Sequence, residues 1–98
     1  MDPVLVEAEK DGQEHVKEAA RDLIWAQDIL DEDLSDWKGD EFYNELVVEN
    51  AVHALSLAYR SLDKLVTDEG AWSIWRIGQR GRAIRDEALK RIRENLVG

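Results

Sequence analysis

The sequence contains no cysteine and a single proline, and its apolar runs are short. Without cysteine the chain has no disulfide, no thiolate metal site and no cysteine nucleophile, which agrees with a reducing compartment. The apolar runs fall well below the ~20 residues that a membrane-spanning helix needs. Residues 1–6 also lack the basic and long apolar regions of a secretory signal. We therefore expect a cytoplasmic protein without a membrane partner.

Length and composition indicate one folded domain. The chain has 98 residues, of which 44% are hydrophobic and 36% are charged, and this is too apolar for a disordered chain. A chain of this length supports a single hydrophobic core. We therefore expect residues 1–98 to form one domain.

Charge is distributed unevenly along the chain. Residues 1–70 carry 6 Lys and Arg against 19 Asp and Glu, which gives −13, whereas residues 71–98 carry 7 against 3, which gives +4. One explanation is that the basic C-terminal segment packs against the acidic helices and neutralises them. The other is that it binds an anion or a nucleic acid. The overall charge of −9 opposes this second explanation, because most of the surface would repel phosphates.

The longest periodic stretch runs from Asp40 to Val66 and contains neither glycine nor proline. At about 100° per residue it predicts an amphipathic helix with Asp40 as its N-cap, and with His53 and Ser61 on the polar face. The apolar face is wider than a two-stranded coiled coil requires, so we expect it to contact at least two other helices. Its predicted members are Val47, Val48, Ala51, Val52, Ala54, Leu55, Ala58, Tyr59, Leu62, Leu65 and Val66.

Two further helices are indicated before that stretch. Asp2 is suited to N-cap a short helix that begins at the following proline, and Gly12 bends or interrupts it. Residues 13–31 then form a second helix with one apolar stripe, and Trp25 and Ile29 lie almost opposite that stripe. A helix with two apolar faces needs a second neighbour, such as the N-terminal segment, a second subunit or a target protein.

An acidic loop connects the second and third helices. The helical period is lost over residues 31–40, where we expect Leu34 and Trp37 to anchor the loop on the bundle. The carboxylates that include Asp33 and Asp36 partly match the start of an EF-hand loop, but the glycine and glutamate that its geometry requires are missing. We interpret the segment as a solvated connector, with docking onto a basic partner as the functional alternative.

Residues 71–97 combine helical spacing with a concentration of tryptophan and arginine. These two residue types dominate protein interaction hot spots and also form stacking platforms for nucleotides. They equally suit a structural role, in which the rings close the core and the arginine stems lie over them. Gly78 and Gly81 either allow a close helix contact or break the helix, and we favour one kinked helix. The candidate binding residues of this segment are Trp72, Trp75, Arg76, Arg80 and Arg82.

Catalysis and metal binding find little support in the sequence. Glu49 and His53 share one helix face, but the further ligands that a helical metal site requires are missing. The chain also lacks the paired acidic motifs of all-helical, magnesium-dependent nucleotide pyrophosphatases, and it contains no phosphate loop or nucleophile elbow. We therefore expect a protein that is not an enzyme and that binds neither a cofactor nor a metal.

These features predict an all-α fold, an antiparallel bundle of three long helices with either a short extra N-terminal helix or a kinked last helix. Our first functional hypothesis is a small acidic interaction protein of the inhibitor, immunity or adaptor type, such as those that phages and mobile elements encode. Its partner is a basic protein, and a homodimer is also expected. The second hypothesis is nucleic-acid or nucleotide binding through the basic C-terminal helix. The residues assigned to partner binding are Trp25, Ile29, Asp33, Asp36, Trp37, Trp72, Trp75, Arg76, Arg80 and Arg82.

Overall fold

The computed structural model describes residues 2–66 and 72–96, with the backbone alone at 72–74. Within these ranges the chain forms four α-helices and a 3₁₀ turn, and it contains no strand. The all-α prediction is therefore confirmed, and the short N-terminal helix is present. The helices are α1 (Pro3–Asp11), α2 (Glu14–Leu30), α3 (Tyr43–Leu65) and α4 (Trp72–Leu96), and the 3₁₀ turn spans Ser35–Trp37.

The first helix begins and ends at the residues that the sequence indicates. The Asp2 carboxylate accepts a hydrogen bond from the Val4 N–H at 2.9 Å, and a proline opens the helix. Gly12 ends the helix with φ of 80°, a left-handed conformation that glycine adopts without a steric penalty. Its N–H donates to the Ala8 carbonyl at 3.1 Å. The sharp reversal lets α1 pack against both α2 and α4.

The third helix begins later than predicted. The Asp40 carboxylate accepts a hydrogen bond from the Phe42 N–H at 2.8 Å, so Asp40 closes a turn before the helix instead of capping it. Phe42 occupies the N-cap position without a side-chain hydrogen bond, and α3 starts at Tyr43. The consequence is that the Phe42 ring stays 53% exposed at the edge of the bundle.

The core lies between α2, α3 and α4, with α1 packed across α2 and α4. Alanines supply much of it, which lets the helix axes approach closely. Leu5, Ile29, Leu55 and Ile92 pack partly buried against its edge. The buried hydrophobic residues are Val4, Ala8, Val16, Ala19, Ala20, Leu23, Ala26, Leu30, Ala51, Ala54, Leu57, Ala58, Leu65, Ile77, Ile84 and Ala88.

The apolar face of α3 is only partly covered, which corrects the prediction. Val52, Tyr59 and Val66 were placed on the buried face, but they are 46%, 50% and 78% exposed. Ser61 was placed on the polar face, but it is fully buried and its hydroxyl donates to the Ala19 carbonyl at 2.9 Å. The reason is geometric: α2 and α4 cover the arc of α3 that includes Ser61 and Leu57, and the far edge of the wide apolar face lies outside that arc.

The last helix runs without interruption through both of its internal glycines. A Cβ atom built on Gly81 would lie 2.9 Å from Leu62 Cδ2, so this glycine permits a close contact between α4 and α3. A close helix contact was one of the two alternatives predicted for the glycines. Outside the adjacent residues and the backbone of α4 itself, no atom of the described residues lies within 4 Å of a Cβ built on Gly78. Gly81 therefore serves packing, whereas a Cβ at Gly78 would meet no side chain among the described residues.

The molecule is elongated and thin. Its principal-axis extents are 46 × 24 × 15 Å, and its radius of gyration is 14.8 Å, against about 13 Å for a compact domain of 100 residues. A thin domain leaves large helix surfaces outside its core. Among the helices described, none is long and apolar enough to cross a membrane.

Candidate functional site

Trp25 lies half exposed between α2 and α3. Its side chain is 51% exposed, and its ring contacts the His53 ring edge to face, with the centroids 5.6 Å apart and an interplanar angle of 75°. Ile29, one helical turn beyond Trp25, packs partly buried against the core edge. The structure thus brings Trp25 and Ile29 to the surface where α2 meets α3.

This surface continues onto α3 through the N-cap residue and two residues of the helix. Phe42, Leu46 and His53 are spaced by four and seven residues, which places them on one face of the helix. Since His53 touches Trp25, that face borders α2. We call the surface formed by Trp25, Ile29, Phe42, Leu46 and His53 the α2–α3 face.

Charged groups of both signs border the α2–α3 face, since Arg60 follows His53 by seven residues and is 54% exposed. Glu49 is exposed and lies between Leu46 and His53 on the same side of α3. Glu32 accepts a hydrogen bond from Asn50 Nδ2 at 3.0 Å, and the same amide approaches the Ile29 carbonyl at 3.4 Å. These bonds hold the end of α2, and with it Ile29 and Glu32, against α3.

Asp22 is the buried member of an ionic cluster between α2 and α3. Arg60 donates two hydrogen bonds to its carboxylate, at 3.0 and 3.2 Å, and Lys64 donates one at 2.9 Å. Burial alone would raise the pKa of Asp22, but these hydrogen bonds and the two positive charges outweigh it and hold the pKa below its ordinary value. The cluster fixes α2 against α3 and so sets the position of the α2–α3 face.

The role of Asp22 was not predicted from the sequence. Its signal was its position four residues before Ala26, at the edge of the buried stripe, together with Arg60 and Lys64 spaced four residues apart on α3. A buried carboxylate requires cations at hydrogen-bond distance. The pairing could not be found without the relative register of α2 and α3.

The two predicted anchors of the acidic loop differ in burial. Trp37 is 48% exposed, whereas Leu34 is partly buried. Just before the loop, Arg91 of α4 donates to the carbonyl of Leu30, the last residue of α2, at 2.6 Å. Trp37 is therefore accessible at the end of the molecule that carries the loop.

Both loop carboxylates assigned to partner binding are exposed. Asp33 accepts a hydrogen bond from the Ser35 N–H at 2.9 Å, and the hydroxyl and N–H of Ser35 together lower the pKa of Asp33. Asp36 lies in the 3₁₀ turn that follows. The loop therefore presents fixed negative charge near Trp37.

The arginines of α4 separate into two groups. Arg76 pairs with Glu7 at 3.2 Å, and Arg80 forms two hydrogen bonds with Asp2, at 3.1 and 3.3 Å. Burial would raise the pKa of Asp2, but hydrogen bonds from the Val4 N–H and from Arg80 hold it below its ordinary value. These arginines bind α1, which supports the explanation that the basic segment neutralises acidic helices.

Trp75 and Arg82 lie on a different side of α4 from Arg76 and Arg80. The two residues are seven apart, and both are exposed, Trp75 by 53%. The proposed grouping of tryptophans and arginines is thus divided between two sides of the helix. The side chain of Trp72 lies outside the described residues.

The described residues contain no group of three or more His, Asp or Glu side chains that is arranged to hold a metal ion. Glu49 and His53, the pair weighed in the sequence, are both exposed, and His53 contacts the Trp25 ring. The site consists of exposed aromatic rings with acidic neighbours. Such a surface is suited to binding.

The fold and this surface define a small all-helical protein with a half-exposed aromatic face. No known family model, curated protein or solved structure matches the chain.

Proposed function

We propose that this protein acts without catalysis, by binding a basic protein partner through the α2–α3 face. The proposed protein is of the inhibitor, immunity or adaptor type. The observation that carries the proposal is the half-exposed Trp25 ring, seated on His53 at the centre of an apolar face and next to carboxylates.

The composition of the face supports a protein partner. Trp is enriched at the centre of protein interfaces because its large ring can be buried on binding while its N–H finds a partner. Contact between Trp25 and His53 restrains the ring before binding, which lowers the entropy lost in the complex.

The charge around the face supports a basic partner. Glu49 and Glu32 lie beside it, and Asp33 and Asp36 are exposed on the loop that follows α2. Carboxylates beside an apolar centre accelerate encounter with a positively charged surface and disfavour acidic proteins. The whole chain carries a net charge of −9, which extends the same preference beyond the face.

The nucleic-acid hypothesis has less support than the protein hypothesis. Arg76 and Arg80, two of its central residues, are engaged by the carboxylates of Glu7 and Asp2. Binding phosphate through them would require those ion pairs to be given up. We therefore treat nucleic-acid binding as an outcome of the test below.

The test compares two tryptophans that are equally exposed on different sides of the molecule. Wild-type protein, W25A and W75A are immobilised and exposed to a nuclease-treated extract of the native host, and retained proteins are identified by mass spectrometry. We expect wild type and W75A to retain the same basic protein and W25A to lose it. With the purified partner, W25A should weaken binding by about 30-fold or more, as expected for a hot-spot tryptophan.

Two results would overturn the proposal. One is a partner that W25A binds as tightly as wild type does, which would place the interface elsewhere. The other is binding of single-stranded oligonucleotides at about 150 mM salt with quenching of tryptophan fluorescence, which would favour the nucleic-acid hypothesis. Circular dichroism of both variants checks that each remains helical.

A further inference from the structure

A second apolar surface lies where α3 meets α4, away from α1 and α2. On α3, Val48, Val52 and Tyr59 contribute to it, and Val52 and Tyr59 are 46% and 50% exposed. On α4, Leu89 is partly exposed and Leu96 is 69% exposed. We call these five residues the α3–α4 face.

The α3 part of this face has the spacing of a helix–helix seam. Alternating steps of four and three residues separate its apolar positions, which is the heptad pattern of a coiled-coil contact. The inner positions Leu55 and Leu62 face the bundle, where Leu62 meets Gly81. The outer positions, such as Val52 and Tyr59, are exposed and can contact a second helix. The full series is Val48, Val52, Leu55, Tyr59, Leu62 and Val66.

The register between α3 and α4 is fixed at both ends. Leu62 lies level with Gly81. Val48 shares a shallow pocket with Asn95 and Leu96. The two helices are therefore antiparallel, and each step forward along α3 corresponds to one step back along α4.

The two edges of the α3–α4 face carry opposite charge. Glu49 and Asp63 are exposed on the outer edge of α3, and Arg82 and Arg93 are exposed on the outer edge of α4. In the part of the chain that the structure describes, none of these four forms an ion pair. The face thus has an apolar centre, one acidic edge and one basic edge.

We propose that a second copy of this chain covers the α3–α4 face, related by a two-fold axis parallel to the helices. Such an axis lays α3 of each protomer on α4 of its partner. The acidic edge of one protomer then meets the basic edge of the other. The apolar positions Val52, Tyr59 and Leu89 become buried between them.

The register brings specific charges together in this arrangement. Asp63 lies about 3 Å along the axis from the level of Arg82, and Glu49 about 1.5 Å from that of Arg93, at 1.5 Å per residue. Both offsets are within the reach of the side chains. The two-fold axis repeats each pair, so four interprotomer ion pairs result.

The alternative two-fold axis, which crosses the helices, is disfavoured by charge. It would place α3 on α3 and α4 on α4, so that acidic edges meet each other and basic edges meet each other. Like charges at an interface select against the arrangement that contains them.

The α3–α4 face is large enough for a dimer interface. Two helices about 34 Å long and about 10 Å apart present several hundred Å². This area approaches the ~800 Å² per partner of a stable interface.

The test uses two charge reversals that restore each other only between protomers. Sedimentation equilibrium of the wild type should give twice the 11.3 kDa chain mass. D63R and R82D should each weaken the dimer by about tenfold or more, because like charges then meet at two symmetric positions. Mixing D63R with R82D should restore dimerisation as a heterodimer, in which both positions pair opposite charges.

The controls reverse charge outside the face. D28R on α2 changes net charge as D63R does, and K10D on α1 changes it as R82D does, so neither should alter the dimer constant. If either single variant loses its helical circular dichroism, E49R and R93E form a second pair with the same logic. A wild type that stays monomeric at all concentrations overturns the proposal. So does a dimer that ignores the reversals, or a mixture of weakened variants that does not recover.

Discussion

Asp22 stays ionised in a buried position because two cations from α3 reach it. Only 11% of its side chain is exposed, whereas Arg60 is 54% exposed and Lys64 28%. The carboxylate therefore bears most of the desolvation cost, and the cations keep part of their hydration. When the carboxylate is removed, Arg60 can be solvated by water. The loss of folding stability should therefore be smaller than for an ion pair in which both groups are buried.

We predict that D22N lowers the free energy of unfolding at pH 7 by about 1–3 kcal/mol, the range for hydrogen bonds to charged groups. The folded-state pKa of Asp22 lies below its unfolded value. Its stabilisation is thus present in full above the unfolded pKa of about 3.9 and is lost as the pH falls through the lower folded value. The difference between D22N and wild type should therefore shrink in acid.

Urea unfolding between pH 7 and pH 2.5 measures this effect. D28N is the matched control, because it removes the same charge from an exposed position of α2. We expect D28N to follow the wild type across the series. A constant difference between D22N and wild type at every pH would contradict an ionised Asp22.

Residue patterns in the sequence locate the buried stripe of α2 but not the polar contacts within it. The helical period identifies Val16 and Leu23 correctly as core residues. It cannot identify Ser61 as buried, because the Ala19 carbonyl that accepts its hydrogen bond lies 42 positions away in the chain. The same limit applies to Asp22. Contacts between helices depend on register, which a single helix does not encode.

The two glycines of α4 differ in surroundings, which makes them a matched pair at the level of the helix. We predict that G78A raises the free energy of unfolding by about 0.5–1 kcal/mol, since alanine favours the helix and a Cβ there meets no described atom outside α4. G81A should gain none of this, because its Cβ would meet Leu62 at 2.9 and 3.1 Å. G81V should cost about 1–3 kcal/mol as the contact with α3 is overpacked.

Thermal and urea unfolding of the three glycine variants decide this prediction. Leu62 is partly exposed and can shift its side chain, so G81A measures how far the contact yields. Equal stabilisation by G78A and G81A would mean that Leu62 moves aside for the added Cβ at no measurable cost.

At the level of the helices, the sequence predicted both ends of α1 but not the start of α3. Asp2, the following proline and Gly12 each act through the adjacent backbone, so the ends of α1 follow from sequence. Asp40 is an equally good N-cap residue by type, yet it closes a turn instead. Which side of the wide apolar face of α3 stays exposed depends on where α2 and α4 pack. Val52 and Tyr59 were misplaced for that reason.

In the whole molecule, part of the opposite charge of the two ends of the chain is paired between α1 and α4. The acidic first part and the basic last part meet where α1 lies on α4, through the pairs of Arg76 with Glu7 and Arg80 with Asp2. Arg82 and Arg93 are left on the side of α4 away from α1. The molecule therefore offers two surfaces, one at α2 and α3 and one of mixed charge at α3 and α4, and Glu49 borders both of them.

The shape of the dimer distinguishes the proposed arrangement from end-to-end association. The protomer measures 46 × 24 × 15 Å, and the α3–α4 face runs along its longest dimension. Pairing through that face thickens the molecule and leaves its length nearly unchanged. Small-angle X-ray scattering of the dimer should therefore give a maximum dimension close to that of a monomer, together with a larger cross-section. A maximum dimension near twice the monomer length would mean that the protomers meet at their ends, where neither Asp63 nor Arg82 can reach the partner.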